Sequence, residues 1–349
     1  MAACTKSNVQ YEQTGELTLA PVTQKSTKAA VADAVYPTTE KFNVWAWWGK
    51  PNAGSKPADN ATTEEKLTYY QTNFSTLYID KGTFKAKNNF SWCGVTPYYW
   101  PTTGSLFFAG YSPASANGKF NYALPTQTLT IEDYIQSNVI TETNDLMWFD
   151  ATDKSYDQNE ADVNGVPVVF QHALSWLTFK FKLKDNNTPN NWKITKVELK
   201  GIENKGSFSS SNKSWGIASD ATSNVVEVFR KDSGYDELTN TAMTLEGSSA
   251  ITSGGSVLVI PQSCAYTNKT TNDASLVITY NLKNPAGDPT YLSGQTITLP
   301  LNGGTGQSAW EKWDAGKHYI YTITFGANEI LIAPTVATWV TVDQNIEVQ

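Results

Sequence analysis

The chain is poor in the residues on which most enzymes and nucleic-acid-binding proteins depend. Its 349 residues include only 2 histidines and 3 cysteines, and Arg230 is the single arginine. A lysine ammonium is a hydrated point charge, so this chain has no means of building a bidentate arginine clamp for phosphate. A formal net charge of −7 without a basic stripe also argues against nucleic acid as a partner.

Long apolar runs and catalytic motifs are missing as well. A membrane-spanning helix needs about 18 consecutive apolar residues, and the sequence has no such run. The nucleophile elbow, the zincin helix, the P-loop and the dinucleotide fingerprint are all absent. His172 and His318 each lie at the start of an apolar alternation, a position typical of structural histidines. We predict that the protein is not an enzyme and binds no cofactor.

Acidic side chains concentrate in one polar stretch around residues 149 to 167. They are Asp145, Asp150, Asp153, Asp157, Glu160 and Asp162. Their spacing misses the alternate ligands and fixed glycine of an EF-hand loop. We therefore predict a solvated linker and no metal site, while bound calcium stays open. Nothing in the sequence selects a pair of carboxylates for glycoside hydrolysis.

The cysteines are too scattered for a disulfide framework or a zinc site. We predict that Cys93 and Cys264 are buried free thiols, the alternative being one long-range bridge. Cys4 follows Ala2 and Ala3, small residues that bacterial lipoprotein processing selects before its acceptor cysteine. We expect a lipid anchor at Cys4, which requires that Met1 replaces a signal peptide, since too few residues precede Cys4 for an apolar signal core. The alternative is an ordinary amino terminus.

Short alternating segments are the main structural signal. Side chains of a strand point to opposite faces in turn, so apolar residues at every second position predict half-buried strands. In the second half of the chain such segments lie at 177–183, 193–201, 224–230, 255–262, 275–282 and 295–301. Helix-start patterns occur only at Thr62 with Glu65 and at Thr130 with Asp133.

We predict an all-β chain of two tandem β-sandwich domains, of the transthyretin or immunoglobulin kind, with few short helices. A chain of this length exceeds the usual size of one domain. Residues 1–13 would be an amino-terminal tether, 14–160 the first domain and 161–349 the second. The stretch at 24–40 between the first strand and the rest is small and polar, which is typical of a protease-sensitive link.

The tail carries the most specific pattern. A Trp is followed by Ala-Gly-Lys-x-Tyr-x-Tyr-x-Ile and then by Ile-x-Ile-x-Pro-x-Val-x-x-Trp, formed by Trp313, Ala315, Gly316, Lys317, Tyr319, Tyr321, Ile323, Ile330, Ile332, Pro334, Val336 and Trp339. Further landmarks follow one another at 42–48, 98–113, 141–148 and 168–184. By this ordered set the chain resembles, over nearly its whole length, the fimbrillin-like pilins and fimbrial lipoproteins of Bacteroides-type bacteria (type V pili).

The resemblance implies a structural subunit of a cell-surface fimbria with a role in adhesion, exported as an outer-membrane lipoprotein. In that family a protease removes the amino-terminal strand, and a strand of another pilin subunit fills the groove. The membrane would be contacted through the lipid alone, and the partners would be the same or related pilins.

Carried onto this sequence, the resemblance assigns three kinds of residue. The removable strand would include Glu16, Leu17, Leu19 and Val22. Because no arginine lies near it, cleavage would follow Lys25 or Lys28, occur at non-basic residues, or not occur. The donor would lie within 330–348, with Ile330, Ile332, Val336, Trp339, Val340 and Val342 as its apolar side chains. Shaft, tip and anchor roles stay open.

Tryptophan is abundant, with 12 residues in the chain. Five of them cluster near Tyr98 and Tyr99: Trp45, Trp47, Trp48, Trp92 and Trp100. The first interpretation is that these rings pave the inner faces of the sheets. The alternative is an exposed aromatic platform that binds a host glycan or protein.

Overall fold

The computed structural model describes residues 15–23, 36–51, 57–58, 60–139, 143–154, 165–186, 192–232, 236–245, 256–264, 274–282, 292–301, 312–326 and 330–338. Within these ranges strands predominate and a single α-helix is present, which confirms the predicted all-β class. None of the helical segments described is long and apolar enough to cross a membrane.

The elements follow the chain in this order: β1 Thr18–Thr23, β2 Phe42–Gly49, α1 Thr63–Asn73, β3 Thr76–Ala86, β4 Trp92–Gly94, β5 Ser105–Ser112, β6 Lys119–Ala123, a 3₁₀ turn Leu124–Thr126, β7 Thr128–Ile135, β8 Met147–Lys154, β9 Val166–His172 and β10 Ser175–Leu183. They continue with β11 Trp192–Glu203, β12 Lys205–Ser209, β13 Ser214–Ile217, β14 Ser223–Arg230, β15 Ser256–Val259, β16 Ser275–Leu282, β17 Leu292–Pro300, β18 Lys317–Phe325 and β19 Ile330–Thr338.

One sheet has seven strands and closes on itself in the order β1-β4-β3-β2-β5-β8-β9. β1 completes the closure, because it pairs antiparallel with β4 and parallel with β9. The interior is packed with buried apolar side chains, among them Phe42, Phe84, Phe108, Phe149 and Phe170. Burial of this many aromatic rings supplies the main hydrophobic stabilisation of the sheet.

A sandwich of two four-stranded sheets forms from the second half of the chain. One sheet has the order β15-β10-β18-β19 and the other β14-β11-β16-β17. Inward residues of both sheets form one core that includes Phe179, Val197, Val228, Ile278 and Tyr321. All six alternating segments predicted in this half lie in these two sheets, as the period-2 pattern requires.

A third sheet, β13-β12-β7-β6, lies over the outside of the closed sheet. It takes β6 and β7 from the first half of the chain and β12 and β13, which the sequence analysis did not predict, from the second. The predicted boundary between 160 and 161 falls outside the described residues, and β9, which follows it, pairs with β1 and β8. The domain bounds therefore stay a prediction.

The two helix-start patterns have different outcomes. At the first, Thr62 Oγ1 accepts from the Glu65 backbone N–H at 3.2 Å and Glu65 Oε2 accepts from the Thr62 N–H at 2.8 Å, so α1 begins with a capping box as predicted. At the second the prediction is wrong, since Thr130 and Asp133 lie in strand β7. Leu129 and Ile131 alternate into the core there, and tertiary burial overrides the local pattern.

Candidate functional site

The candidate site is β1, with Leu17 immediately before it, together with the core wall that they cover. Trp92 of β4 and Val166, Val168 and Phe170 of β9 contribute to this wall, which we call the β1 cleft. Leu17 and Leu19 are both fully buried in the core of the closed sheet. Pairing with β4 is short, with Thr18 opposite Cys93 and Leu19 opposite Trp92. Pairing with β9 is longer and runs from Leu19–Val166 to Thr23–Phe170. β1 is thus a short strand. Its Leu19, with Leu17 just before it, completes a core built by the other six strands.

Aromatic rings form the wall of the β1 cleft. Tyr36 stacks on Phe170 with ring centroids 5.2 Å apart and meets Trp92 edge to face at 5.5 Å. Its hydroxyl lies 2.6 Å from Ser112 Oγ, and burial raises the pKa of Tyr36 far above its ordinary value. Tyr36 lies in the polar stretch at 24–40, beyond Lys25 and Lys28, so it fixes the chain in this core independently of β1.

Exposed polar contacts hold the amino-terminal end of β1. Lys87 Nζ lies 2.5 Å from Glu16 Oε2, and the Leu17 N–H donates to the Tyr98 carbonyl at 2.8 Å. An exposed ion pair contributes only about 0–1 kcal/mol. The buried leucines, each worth roughly 1.5–3 kcal/mol, therefore dominate the attachment of β1. Val22, at the other end, is only partly buried.

A thiol lies beside β1, on the neighbouring strand β4, where Cys93 pairs with Thr18. Cys93 is 9% exposed and is a free cysteine, and burial raises the pKa of its thiol. Cys264 is fully buried in the core of the sandwich and also free, so both cysteines are free buried thiols as predicted. The two differ in what covers them, since only Cys93 pairs with a residue of β1.

The predicted donor segment begins as strand β19. It pairs antiparallel with β18 over nine positions, from Phe325–Ile330 to Lys317–Thr338, with Ile332 opposite Ile323. Among the described strands it is the last of its sheet and pairs with β18 alone. Ile330 packs against the sandwich core, while Val336 is 38% exposed. Trp339, Val340 and Val342 lie outside the described residues.

Several other predicted residues also lie outside the described ranges: Cys4, Lys25, Lys28, Asp157, Glu160 and Asp162. Of the remaining acidic residues, Asp145 pairs with His172, whose Nδ1 lies 2.9 Å from Asp145 Oδ2. In the part of the chain that the structure describes, His, Cys, Asp and Glu side chains do not gather into a group suited to a metal ion.

Both histidines are packed and hydrogen-bonded within the fold. The His172 side chain is fully buried against Asp145. His318 stacks on Trp176 with ring centroids 3.4 Å apart, and its Nε2 lies 2.9 Å from Thr178 Oγ1. Burial lowers the pKa of His318 to about 4, so it is neutral at physiological pH.

The prediction of an exposed aromatic platform is wrong for three of its five tryptophans. Trp92 is fully buried, and Trp45 and Trp100 are each 6% exposed. Successive side chains of β2 point to opposite faces, so Trp45 packs against the core under the third sheet and Trp48 against the core of the closed sheet. Trp47 and Trp48 are partly buried, so a flat surface of five rings does not form.

Tyr36 was not predicted from the sequence to be part of the site. The available signal was its position, because it is the one aromatic residue in the polar stretch at 24–40. Its partners Trp92 and Phe170 are far away in sequence, so only the fold brings the three rings together.

Solved structures with a similar architecture are known. Among curated proteins none matches the sequence. A fimbrial protein from Bacteroides vulgatus has the same fold, with a TM-score of 0.55, 17% identity, and coverage of 93% of this chain and 100% of that one. A fimbrilin from Porphyromonas gingivalis matches with a TM-score of 0.44 at 13% identity over 94% of this chain and 99% of that one, a likeness too low to carry an argument.

The family comparison covers most of the chain. A model of the family described as fimbrillin-like matches residues 27–339, a range that begins beyond β1 and includes all of β19. Fimbrillins are structural proteins of fimbriae rather than enzymes. The chain belongs to the fimbrillin-like family, and it is a pilin subunit with a role in adhesion that assembles with other pilin subunits in a cell-surface fimbria.

Proposed function

We propose that this subunit assembles by strand exchange, in which β1 is removed and the carboxy-terminal segment of another pilin subunit enters the β1 cleft. One observation carries the proposal: Leu17 and Leu19 are fully buried in a core that the other six strands of the closed sheet already surround. Removal of β1 leaves unpaired backbone groups on β4 and β9 and an apolar vacancy between them.

The polar stretch at 24–40 would be cut after Lys25 or Lys28. Such a cut separates β1 from Tyr36 and leaves the wall of the β1 cleft intact. A lipid on Cys4 would hold the uncut subunit to the outer membrane through several buried acyl methylenes, each contributing about 0.8 kcal/mol. Cleavage would then release the subunit from its anchor at the moment when the β1 cleft opens.

A direct test uses Cys93 as a reporter. A specific protease site is placed at residues 24–30 of the full chain, and alkylation of Cys93 is measured before and after cleavage, with Cys264 as the internal control. We expect Cys93 to become reactive on cleavage and to be protected again as polymers form, while Cys264 stays unreactive. Cleavage that exposes Cys93 but yields only monomers, or polymers that still form after deletion of residues 330–349, would reject strand exchange.

Binding of a host glycan or host protein stays a prediction for this subunit. Trp47 and Trp48 keep partly exposed rings, so a ligand that contacts them should change tryptophan fluorescence. A Trp47→Phe variant should lose that change and keep assembly, which separates ligand binding from polymerisation.

A further inference from the structure

The strand that leaves and the strand proposed to replace it have similar local sequences. Residues 17–21 are Leu-Thr-Leu-Ala-Pro, and residues 330–334 are Ile-Leu-Ile-Ala-Pro. Aliphatic residues occupy the first and third positions of both segments, and Ala-Pro follows in both. The next two residues are Val-Thr in the first segment and Thr-Val in the second.

In β1 this pattern matches the buried positions. Leu17 and Leu19 are fully buried, and Pro21 is buried two positions further on, whereas Thr18 and Ala20 are only partly buried. Side chains of a strand alternate between its faces, so positions one, three and five form one inward row. An isoleucine is isomeric with leucine and fits a leucine site with little change in volume.

Each proline lies at a point where its strand has one open side. Pro21 pairs with Val168 of β9 but lies beyond the two residues of β1 that pair with β4. Pro334 pairs with Tyr321 of β18 at the edge of its sheet. Proline lacks an N–H and is confined to strands with one open side. A strand with this pattern therefore satisfies the backbone pairing that the β1 cleft offers.

Charge distinguishes the two halves of the carboxy-terminal segment. Residues 330–338 carry no charged side chain, whereas residues 339–349 include Asp343 and Glu347. Burial of an unpaired carboxylate in an apolar core is strongly unfavourable. The first half is thus the better occupant of a cleft walled by Trp92, Val168 and Phe170.

We propose that the partner is a second copy of this chain, and that Ile330, Ile332 and Pro334 of the donor subunit occupy the sites of Leu17, Leu19 and Pro21 in the acceptor. This inference rests on the strand exchange proposed above. It sets the donor parallel to β9, with Ile332 opposite Val166 and Thr335 opposite Val169, by analogy with Leu19 and Val22. A subunit that is its own donor and acceptor is suited to a fimbrial shaft.

The first experiment measures which peptide replaces β1. The full chain with the protease site at 24–30 is cleaved in an excess of one peptide: residues 16–23, residues 330–338, residues 339–349, or a shuffled 330–338. We expect peptides 16–23 and 330–338 to slow Cys93 alkylation at least tenfold, and the other two to have no effect.

The outcomes separate the two proposals. Protection by 339–349 and not by 330–338 would overturn the assigned register while strand exchange stands. Protection by 16–23 alone would overturn both, because neither half of the tail then serves as donor. Failure of every peptide would also overturn both, since the β1 cleft would then accept no replacement strand.

A second experiment tests the register in the intact, uncleaved monomer. The variant L17I/T18L/L19I/V22T/T23V gives β1 the sequence Ile-Leu-Ile-Ala-Pro-Thr-Val, and we expect its melting temperature to stay within a few degrees of the parent. The matched control places residues 331–337 at the same positions, a shift of one residue that moves the apolar row to the other face. A control as stable as the variant, or a variant as unstable as the control, would overturn the register.

Discussion

β1 and β19 lie near opposite ends of the chain, and both border a sheet core, but they contribute differently to it. β1 lies between β4 and β9 and buries Leu17 and Leu19 completely. In the part of the chain that the structure describes, β19 pairs with β18 alone, and its Val336 is 38% exposed. Loss of β1 opens an aromatic core, whereas loss of β19 uncovers one edge of a sandwich that retains seven strands.

The difference shows how a strand can be essential in one copy and available to another. Release of β19 breaks its nine-position pairing with β18, whereas release of β1 breaks two shorter pairings, with β4 and with β9, and uncovers an aromatic core. Because Leu17 and Leu19 are fully buried, we expect the β1 cleft to be the stronger site. The edge position of β19 leaves that strand available to a second copy.

The largest expected effect compares one buried side chain from each strand. Leu19→Ala should lower the free energy of unfolding by about 3 kcal/mol, because it removes a fully buried side chain and leaves a cavity. Val336→Ala, at a site already 38% exposed, should cost less than about 1 kcal/mol. Urea unfolding of the two variants checks the difference, and equal costs would break the comparison.

The second prediction concerns acid and the strand beside β19. Burial lowers the pKa of His318 to about 4, below the ordinary histidine value of about 6.5, so the folded state favours the neutral ring. The stabilisation that this gives is complete above about pH 6.5 and declines as the pH falls towards 4, by about 1–2 kcal/mol, because solvent screens part of the effect at this partly exposed ring.

His318 lies in β18, opposite Ala337 of β19, so acid should weaken the sandwich more than the closed sheet. His318→Phe retains an aromatic ring beside Trp176 but does not titrate. Urea unfolding at pH 7, 5.5 and 4 should show a steeper loss for the parent than for this variant. Parallel pH profiles would show that His318 is not responsible.

A smaller effect is expected in the wall of the β1 cleft. Tyr36→Phe removes the hydroxyl that lies 2.6 Å from Ser112 Oγ and should cost about 1 kcal/mol, the net contribution of a buried hydrogen bond. Ser112→Ala should cost a similar amount, and the double variant should cost less than the sum. Additive costs in this double-mutant cycle would mean that the two groups do not interact.

The smallest effect tests whether surface charge holds β1 in place. Lys87→Gln removes the ion pair with Glu16, in which the lysine side chain is 46% exposed. We expect a loss below about 0.5 kcal/mol that disappears at high salt. A loss as large as that of Leu19→Ala would mean that the polar end, and not the leucine row, attaches β1.

Much of the secondary structure was predictable, because alternation is local. The strands of the sandwich and the capping box at Thr62 all follow from neighbouring residues in the sequence. The pattern at Thr130 and Asp133 was misleading, since the same side chains that start a helix also suit an exposed strand face. Phe208 of β12 packs in the same core as Ile131, and that distant contact favours the strand.

The site was predictable only in part. The family resemblance assigned Leu17 and Leu19 to the removable strand, and both are buried. Trp92 was considered as part of an exposed platform and instead lies in the wall of the β1 cleft. A tryptophan is compatible with a core or a ligand surface, and its local sequence does not distinguish the two because the covering residues come from other strands.

The sequence by itself determined which residues form strands and which face of each strand is apolar, because that information repeats every second residue. Only the tertiary structure decided which strands become neighbours. Backbone hydrogen bonds are chemically alike for every pair of strands, so the choice of β9 and β4 as the partners of β1 depends on how distant aromatic side chains pack. That packing makes β1 the closing strand of a sheet and β19 an edge.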